Sequence, residues 1–117
     1  MTYFKDNCFT LAKNNTAFRK VLFTATHSQL VLMSIAPHDE IPQEVHTVDQ
    51  IFTFVQGHGE AILNGTIVSF KEDDILVVPA GTTHTIKNSG TEPLKLYTLY
   101  APPQHAADAY QETHYKS

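Results

Sequence analysis

Short apolar stretches separated by turn-forming residues recur along most of the chain. Many of them alternate between apolar and polar positions or are apolar on both faces, which is typical of buried or half-buried β-strands. Asn64-Gly65 between two such stretches is a strong signal for a two-residue hairpin turn. The pattern predicts strands over residues 18–25, 30–35, 49–56, 60–63, 66–70, 75–78, 84–88 and 94–100.

This series of short strands indicates an all-β protein. Closely spaced strands without a long amphipathic helix among them favour a sandwich or a barrel. Residues 1–17 are poorly patterned, and we expect them to wrap the core or to pair with another subunit. Residues 37–42 contain two prolines and are expected to form a loop, and residues 106–117 are expected to form a short helix.

Composition narrows the class of protein. With 117 residues there is room for one domain, and 42% hydrophobic with 17% charged residues describe a globular chain. The net charge of −4 argues against binding to nucleic acid. Cys8 is the only cysteine, which excludes an intrachain disulfide and fits a reducing, cytoplasmic compartment. Neither a signal peptide nor a membrane-spanning apolar run is evident.

Candidate metal ligands are concentrated in two stretches of the chain. Residues two or four apart share a face of a strand, so Glu44, His46 and Gln50 lie together if this segment is extended. A bulge at residues 47–48 would change that parity. His84 follows a Pro-x-Gly turn and is expected to meet the other three from a neighbouring strand.

Two imidazoles, one carboxylate and one amide oxygen are a plausible ligand set for a divalent metal ion. His46, His84 and Glu44 resemble the facial triad of non-haem Fe(II) sites, and Gln50 is either a weak ligand or a substrate contact. Fe, Mn, Ni, Zn and Cu all suit such a set, because no thiolate selects zinc. The alternative is a buried polar network that holds water but no metal. Asp49 is interpreted as a turn or strand-edge residue.

The two stretches resemble the two motifs of the cupin superfamily. The first motif runs Gly, five residues, His-x-His, three or four residues, Glu, six residues, Gly; its positions after the first Gly are taken here by Glu44, His46, Gln50 and Gly57. The second motif runs Gly, five residues, Pro-x-Gly, two residues, His, three residues, Asn; its positions are taken here by Asp73, Pro79, Gly81, His84 and Asn88.

A closer resemblance is to small single-domain cupins that are called mannose-6-phosphate-isomerase-like. The similar runs lie at residues 41–46, 49–50, 78–84 and 94–103. The resemblance implies a double-stranded β-helix, which is a jelly-roll barrel, with its core over residues 18–105 of a single domain that spans residues 1–117.

The expected function is metal-centred chemistry on a small, oxygen-rich molecule such as a sugar, keto acid or enediol. For an isomerase, Glu44 is the candidate base if it is not a tight ligand; for a dioxygenase, two metal positions would have to stay open. The alternative function is non-catalytic binding of a sugar or metabolite. The inner wall is expected to form a substrate pocket lined by Met33, Phe52, Tyr97 and Tyr100.

Strands that are apolar on both faces predict an exposed apolar surface outside the barrel and hence a homodimer. The candidate interface residues are Val21, Phe23, Leu30, Leu32, Ile51, Thr53 and Val55. The histidines away from the two motifs are interpreted as surface residues: His27, His38, His58, His105 and His114.

Overall fold

Two antiparallel β-sheets enclose the core of the molecule. A computed structural model describes residues 2–113. The elements in chain order are α1 (Cys8–Asn14), β1 (Arg19–Thr24), β2 (Gln29–Ile35), β3 (Glu40–Glu44), β4 (Asp49–Gln56), β5 (His58–Leu63), β6 (Thr66–Lys71), β7 (Ile75–Val78), β8 (His84–Asn88), β9 (Leu94–Ala101) and β10 (Tyr110–Gln111). One sheet has the order β10-β1-β2-β9-β4-β7 and the other β3-β8-β5-β6.

This arrangement confirms the predicted all-β jelly roll. Side chains from the inner faces of both sheets form one core, which includes Met33, Phe52 and Leu96 from the six-stranded sheet and Ile41 and Ile86 from the four-stranded sheet. The strands that supply these residues therefore bury one face against the opposite sheet, as their apolar pattern requires.

The predicted hairpin turn is confirmed. Leu63 pairs with Thr66, so that Asn64 and Gly65 alone form the turn. Their φ angles of 49° and 85° are both left-handed, which matches a twisted two-residue hairpin.

Both terminal segments differ from the predictions. Residues 8–14 form a helix, whose N-cap Asn7 accepts a hydrogen bond from the Thr10 amide through its side chain. A helix of 7 residues is too short to give a clear periodic pattern. Residues 106–113 contain no helix, and Tyr110–Gln111 pairs with β1 instead. Residues 114–117 of the predicted helix lie outside the described residues.

The loop predicted at residues 37–42 is also partly wrong, because residues 40–44 form β3. This strand contains Pro42 and lies at the edge of its sheet, where a missing N–H group is tolerated. Within residues 2–113, no helix is long and apolar enough to cross a membrane.

Helix α1 covers part of the apolar surface that was predicted to bind a second chain. Ala12, Leu32 and Val55 form a small cluster outside the barrel, and the last two are each 2% exposed. Val21 packs against the main core between the sheets. Leu32 and Val55 are therefore wrong as interface residues, because the chain itself buries them, whereas Val21 is half-buried.

Candidate metal centre

His84 is fixed at the start of β8 by its own turn. Pro79 and Gly81 bracket a reversal in which Gly81 has a φ of 84°, a conformation that favours glycine. The His84 ring is almost fully buried, and its Nδ1 lies 2.9 Å from the Thr82 carbonyl oxygen. That oxygen can only accept, so Nδ1 carries the proton and Nε2 presents its lone pair to the barrel interior.

Two hydrogen bonds hold the motif stretches together. The Gly81 amide donates to the His46 carbonyl at 2.8 Å, and the Ala80 amide donates to Asp49 Oδ1 at 2.9 Å. The second bond accounts for Asp49, whose carboxylate serves the turn as the sequence predicts. The two contacts place the His46 backbone beside the turn that aims His84.

Glu44 reaches the same point from the neighbouring strand. It ends β3, where it is the direct cross-strand partner of His84, and a register shift between Ile41 and Glu44 precedes this pair. Directly opposed residues of two strands point to the same face, so both side chains enter the barrel.

Strand spacing does not explain how Glu44, His46 and Gln50 meet. Glu44 ends β3 in the four-stranded sheet and Gln50 lies in β4 of the six-stranded sheet, with His46 on the connection between them. The three residues converge because the chain crosses from one sheet to the other, not because they share one strand face.

Glu44, His46 and His84 form a compact cluster. Their ligand atoms all lie within 4.8 Å of one another, and His46 Nε2 is 3.4 Å from Glu44 Oε1. Atoms bound to one ion at about 2.0–2.2 Å lie roughly 3–4 Å apart, so a small movement of the side chains would complete the site.

The burial of these nitrogens supports the fit. His46 Nε2 and His84 Nε2 are both buried, and within residues 2–113 neither has a hydrogen-bond partner. A buried polar atom without a partner costs about 1–3 kcal/mol, and a metal ion between the two rings would satisfy both. The cluster thus has the donors, the tautomer at His84 and the burial that a divalent metal site needs.

Gln50 faces the same interior through its carbonyl group. Its Nε2 donates to Thr98 Oγ1 at 3.2 Å, and Thr98 Oγ1 in turn donates to the Ile51 carbonyl. Gln50 Oε1 is buried without a partner among the described residues. It is free to contact a metal or a bound ligand, which are the two roles predicted for it.

Three of the four residues predicted to line the pocket lie on the inner wall. Met33, Phe52 and Tyr100 belong to the core, and the Tyr100 ring lies 5.8 Å from the His46 ring between centroids. Tyr97 was wrongly predicted there, because it packs on the outer face with the cluster beneath α1. Side chains alternate along β9, so residues 97 and 100 point to opposite faces.

Two further residues approach the site that the sequence interpretation missed. His105 is not the surface residue that the sequence predicts, because its ring is half-buried and its Nε2 lies 3.2 Å from the Tyr100 hydroxyl. Arg19 enters from β1, where it is the partner of the core residue Met33. The available signal was a pair of adjacent cations, Arg19 and Lys20, at the start of an otherwise apolar strand. Successive side chains point to opposite faces, so one of the two faces the core.

Burial determines the protonation states of Tyr100 and His105. It raises the pKa of Tyr100 to about 12, against the opposing effect of Arg19. Burial, reinforced by Arg19 and His46, lowers the pKa of His105 to about 4. Near neutral pH, Tyr100 therefore keeps its proton and His105 is uncharged.

Comparison with known proteins places this geometry in context. The profile of the Cupin domain family matches residues 31–100. The uncharacterized protein YrkC of Bacillus subtilis is 40% identical over 108 residues, which are 86% of this chain and 58% of that protein. The uncharacterized protein L612 of Acanthamoeba polyphaga mimivirus is 38% identical over 78% of this chain and 60% of its own length. The chain thus spans less than two thirds of these curated relatives.

A solved structure has the same architecture. The crystal structure of BH2720 from Bacillus halodurans is 37% identical and superimposes with a TM-score of 0.92, covering 94% of this chain and 89% of that one. The structure of KdgF from Halomonas sp., at 24% identity and a TM-score of 0.68, covers 74% of this chain and 78% of that one and shows the shared fold alone.

Proposed function

This chain belongs to the cupin family, and on that premise we propose that it is a metal-dependent protein acting on a small, oxygen-rich molecule. Glu44, His46 and His84 would hold one divalent ion, with Gln50 Oε1 as a fourth contact to the ion or to the ligand. When bound, such an ion supplies Lewis acidity to the oxygen atoms of a sugar, keto acid or enediol.

The observation that carries the proposal is the pair of buried Nε2 atoms that have no hydrogen-bond partner within residues 2–113, set against one carboxylate that lies 3.4 Å from His46 Nε2. A purely structural polar network would pair these atoms with one another or with neighbouring groups. Here the His84 tautomer instead directs an unused lone pair at the cluster.

Residues around the cluster would bind and orient the ligand. Tyr100 keeps its proton and can donate a hydrogen bond to a ligand oxygen, and Phe52 packs its ring edge-on to His84 with 6.4 Å between ring centroids. The buried apolar wall keeps bulk water away, which strengthens each polar contact inside.

Metal content tests this proposal directly. Protein purified without chelator should contain about one equivalent of Fe, Mn, Ni, Zn or Cu by elemental analysis. His46→Ala and His84→Ala should each weaken Co²⁺ binding by about 100-fold or more, while His27→Ala, at an exposed turn, should not change it. Equal Co²⁺ binding by all four proteins would overturn the metal assignment.

A non-catalytic binding protein is the second candidate. Among the described residues, Glu44 is the only carboxylate of the cluster, and as a ligand it cannot also act as a free base. Substrate turnover or oxygen consumption by the Fe(II)- or Mn(II)-loaded protein would support the enzyme. Tight ligand binding without turnover would support the binding protein. For either function we propose a cytoplasmic location, with which the free thiol of Cys8 is consistent.

We also propose that the chain forms a homodimer through the outer face of β4 and β7. Ile51 is the cross-strand partner of Val77, and Ile75 and Val77 are 66% and 56% exposed. Burying this patch against its symmetry copy would remove apolar area from water. Val77→Asp should shift a dimer to monomer in sedimentation velocity at micromolar concentration, whereas Ile67→Asp, on an exposed position of the other sheet, should not. A monomeric parent protein would exclude the dimer.

A further inference from the structure

Arg19 carries a positive charge to the interior side of β1, and residues 2–113 provide no carboxylate in an ion pair with it. Its cross-strand partner Met33 is fully buried, so the Arg19 side chain starts on the core face. The guanidinium lies over the Phe18 ring, and its Nη1 donates to the neutral amide oxygen of Gln111 at 2.7 Å. Among residues 2–113, the ion pair found joins His46 and Glu44 and does not include Arg19.

One N–H donor of the Arg19 side chain remains available, although the guanidinium also hydrogen-bonds the Tyr100 hydroxyl. Arg19 Nε is buried, and within the described part of the chain it has no hydrogen-bond partner. A buried donor of a charged group that is left unpaired is costly, and nearby protein groups do not satisfy this one. The Nε–H group of Arg19, next to the Tyr100 hydroxyl, is therefore suited to an acceptor that comes from a bound ligand.

Tyr100 connects Arg19 to the candidate metal centre. The guanidinium is close enough to oppose the effect of burial on the Tyr100 hydroxyl, and it also acts on His105. The Tyr100 ring in turn contacts the His46 ring. Arg19, Tyr100 and His105 thus form a polar group along one side of the cluster.

Charge balance specifies what such a group would bind. A divalent ion together with Arg19 would leave the interior strongly positive, because Glu44 is the single carboxylate of the cluster. An anionic ligand would compensate that charge, whereas a neutral sugar would not.

We propose that Arg19 and the Tyr100 hydroxyl form a carboxylate-binding subsite beside the metal position, so that the ligand is a small hydroxy acid, keto acid or sugar acid. A guanidinium edge pairs with a carboxylate through two parallel hydrogen bonds. Beside the metal position Arg19 is the cation of this subsite, and a carboxylate supplies the single negative charge and the two coplanar oxygens that pair with it. This deepens the proposed function by naming the ligand class, although the positive charge of Arg19 does not depend on the metal.

Matched ligand pairs test the subsite by titration calorimetry. The pairs are glycolate with glycolamide and glucuronate with glucose, with glucose 6-phosphate as a third sugar. In the metal-loaded parent protein, each acid should bind at least about tenfold more tightly than its neutral counterpart. Arg19→Gln should reduce this preference to about twofold or less, and Tyr100→Phe should weaken acid binding by about three- to tenfold. Lys20→Gln removes the same charge from the exposed position next in the strand and should keep the preference.

Several outcomes would overturn the subsite. These are equal binding of acid and neutral counterpart by the parent protein, tighter binding of glucose 6-phosphate than of glucuronate, or loss of Co²⁺ binding in Arg19→Gln, which would show a merely structural role. If Arg19→Gln does not fold by circular dichroism, Arg19→Lys replaces it; it should keep the acid preference with lower affinity, and complete loss of preference would count against the proposal.

Repeating the titrations on metal-free protein separates the two proposals. If neither parent nor variants bind Co²⁺ but the acid preference persists and requires Arg19, the metal-dependent function fails and the subsite stands. If Co²⁺ binds and acids are not preferred, the subsite fails and the metal centre stands.

Discussion

Gln50 and Thr98 show how a single hydroxyl can determine what a metal site offers. Thr98 uses its only proton on the Ile51 carbonyl, so it can only accept from Gln50. This fixes the Gln50 amide with its nitrogen toward Thr98 and its oxygen away from it. The buried oxygen without a partner is therefore a consequence of the hydrogen-bond chain.

Substitutions of Gln50 and of Thr98 should have opposite effects on stability. Gln50→Leu removes the unsatisfied oxygen and should raise the free energy of unfolding of the metal-free protein by about 1 kcal/mol. Thr98→Val leaves the Gln50 amide nitrogen without its acceptor and should lower it by about 1–2 kcal/mol. Urea denaturation in the presence of EDTA measures both, and a loss of stability in Gln50→Leu would contradict this account.

The residues of the cluster were predictable from the sequence because they occupy the two motifs, although strand parity did not describe how Glu44 and His46 meet. The spacing of His84 from its Pro-x-Gly turn was sufficient to aim its side chain. Arg19 and His105 were not predictable in the same way, because Arg19 is fixed by pairing with β2 and His105 by the Tyr100 contact. Such contacts depend on a tertiary arrangement that local pattern does not encode.

At the scale of elements, the hairpin of β5 and β6 depends on one residue that has no side chain. A Cβ atom added to Gly59 would lie 1.9 Å from the Lys87 carbonyl oxygen of β8 and 2.8 Å from the Phe70 ring. Phe70 stacks on Phe54 from the other sheet with 3.8 Å between centroids. Gly59 therefore permits close approach of two strands and an aromatic contact between the sheets.

We expect Gly59→Ala to lower the free energy of unfolding by about 3 kcal/mol or more, because the backbone of β8 would have to move. Gly65→Ala, at the open hairpin turn with a φ of 85°, is the matched control. It should cost only about 1–2 kcal/mol, for the left-handed conformation. Thermal or urea unfolding distinguishes them, and equal losses would argue against the packing explanation.

The prediction of the fold was better than the prediction of its surface. Strand periodicity identifies which faces are apolar, and this led to the correct barrel. It does not say what covers an apolar outer face, and Leu32 and Val55 were assigned to a partner chain although α1 covers them. The helix has 7 residues and buries only Ala12 among them, so its apolar pattern is weak.

For the whole molecule, the most direct link between pH and stability is His105. Burial lowers its pKa from an ordinary 6.5 to about 4. Between these values the unfolded chain binds a proton that the folded chain excludes, so stability is lost as pH falls through this range.

Acid sensitivity should therefore decrease when His105 is replaced. The parent protein should lose more free energy of unfolding between pH 7 and pH 5 than His105→Asn, by up to about 1 kcal/mol, because solvent screens the half-buried ring. His27→Asn, at an exposed turn, should behave like the parent. Urea titrations at both pH values provide the measurement, and identical pH dependence in parent and His105→Asn would exclude this role.

The crossing of the chain between sheets has a consequence for motion. Glu44 and His84 belong to adjacent strands of the four-stranded sheet, and His46 lies on the connection that leads into the six-stranded sheet. An ion bound by all three residues would cross-link that connection to strands β3 and β8. Amide hydrogen exchange at residues 45–48 should then slow when metal is added, while the distant turn at Asn64 and Gly65 keeps its rate.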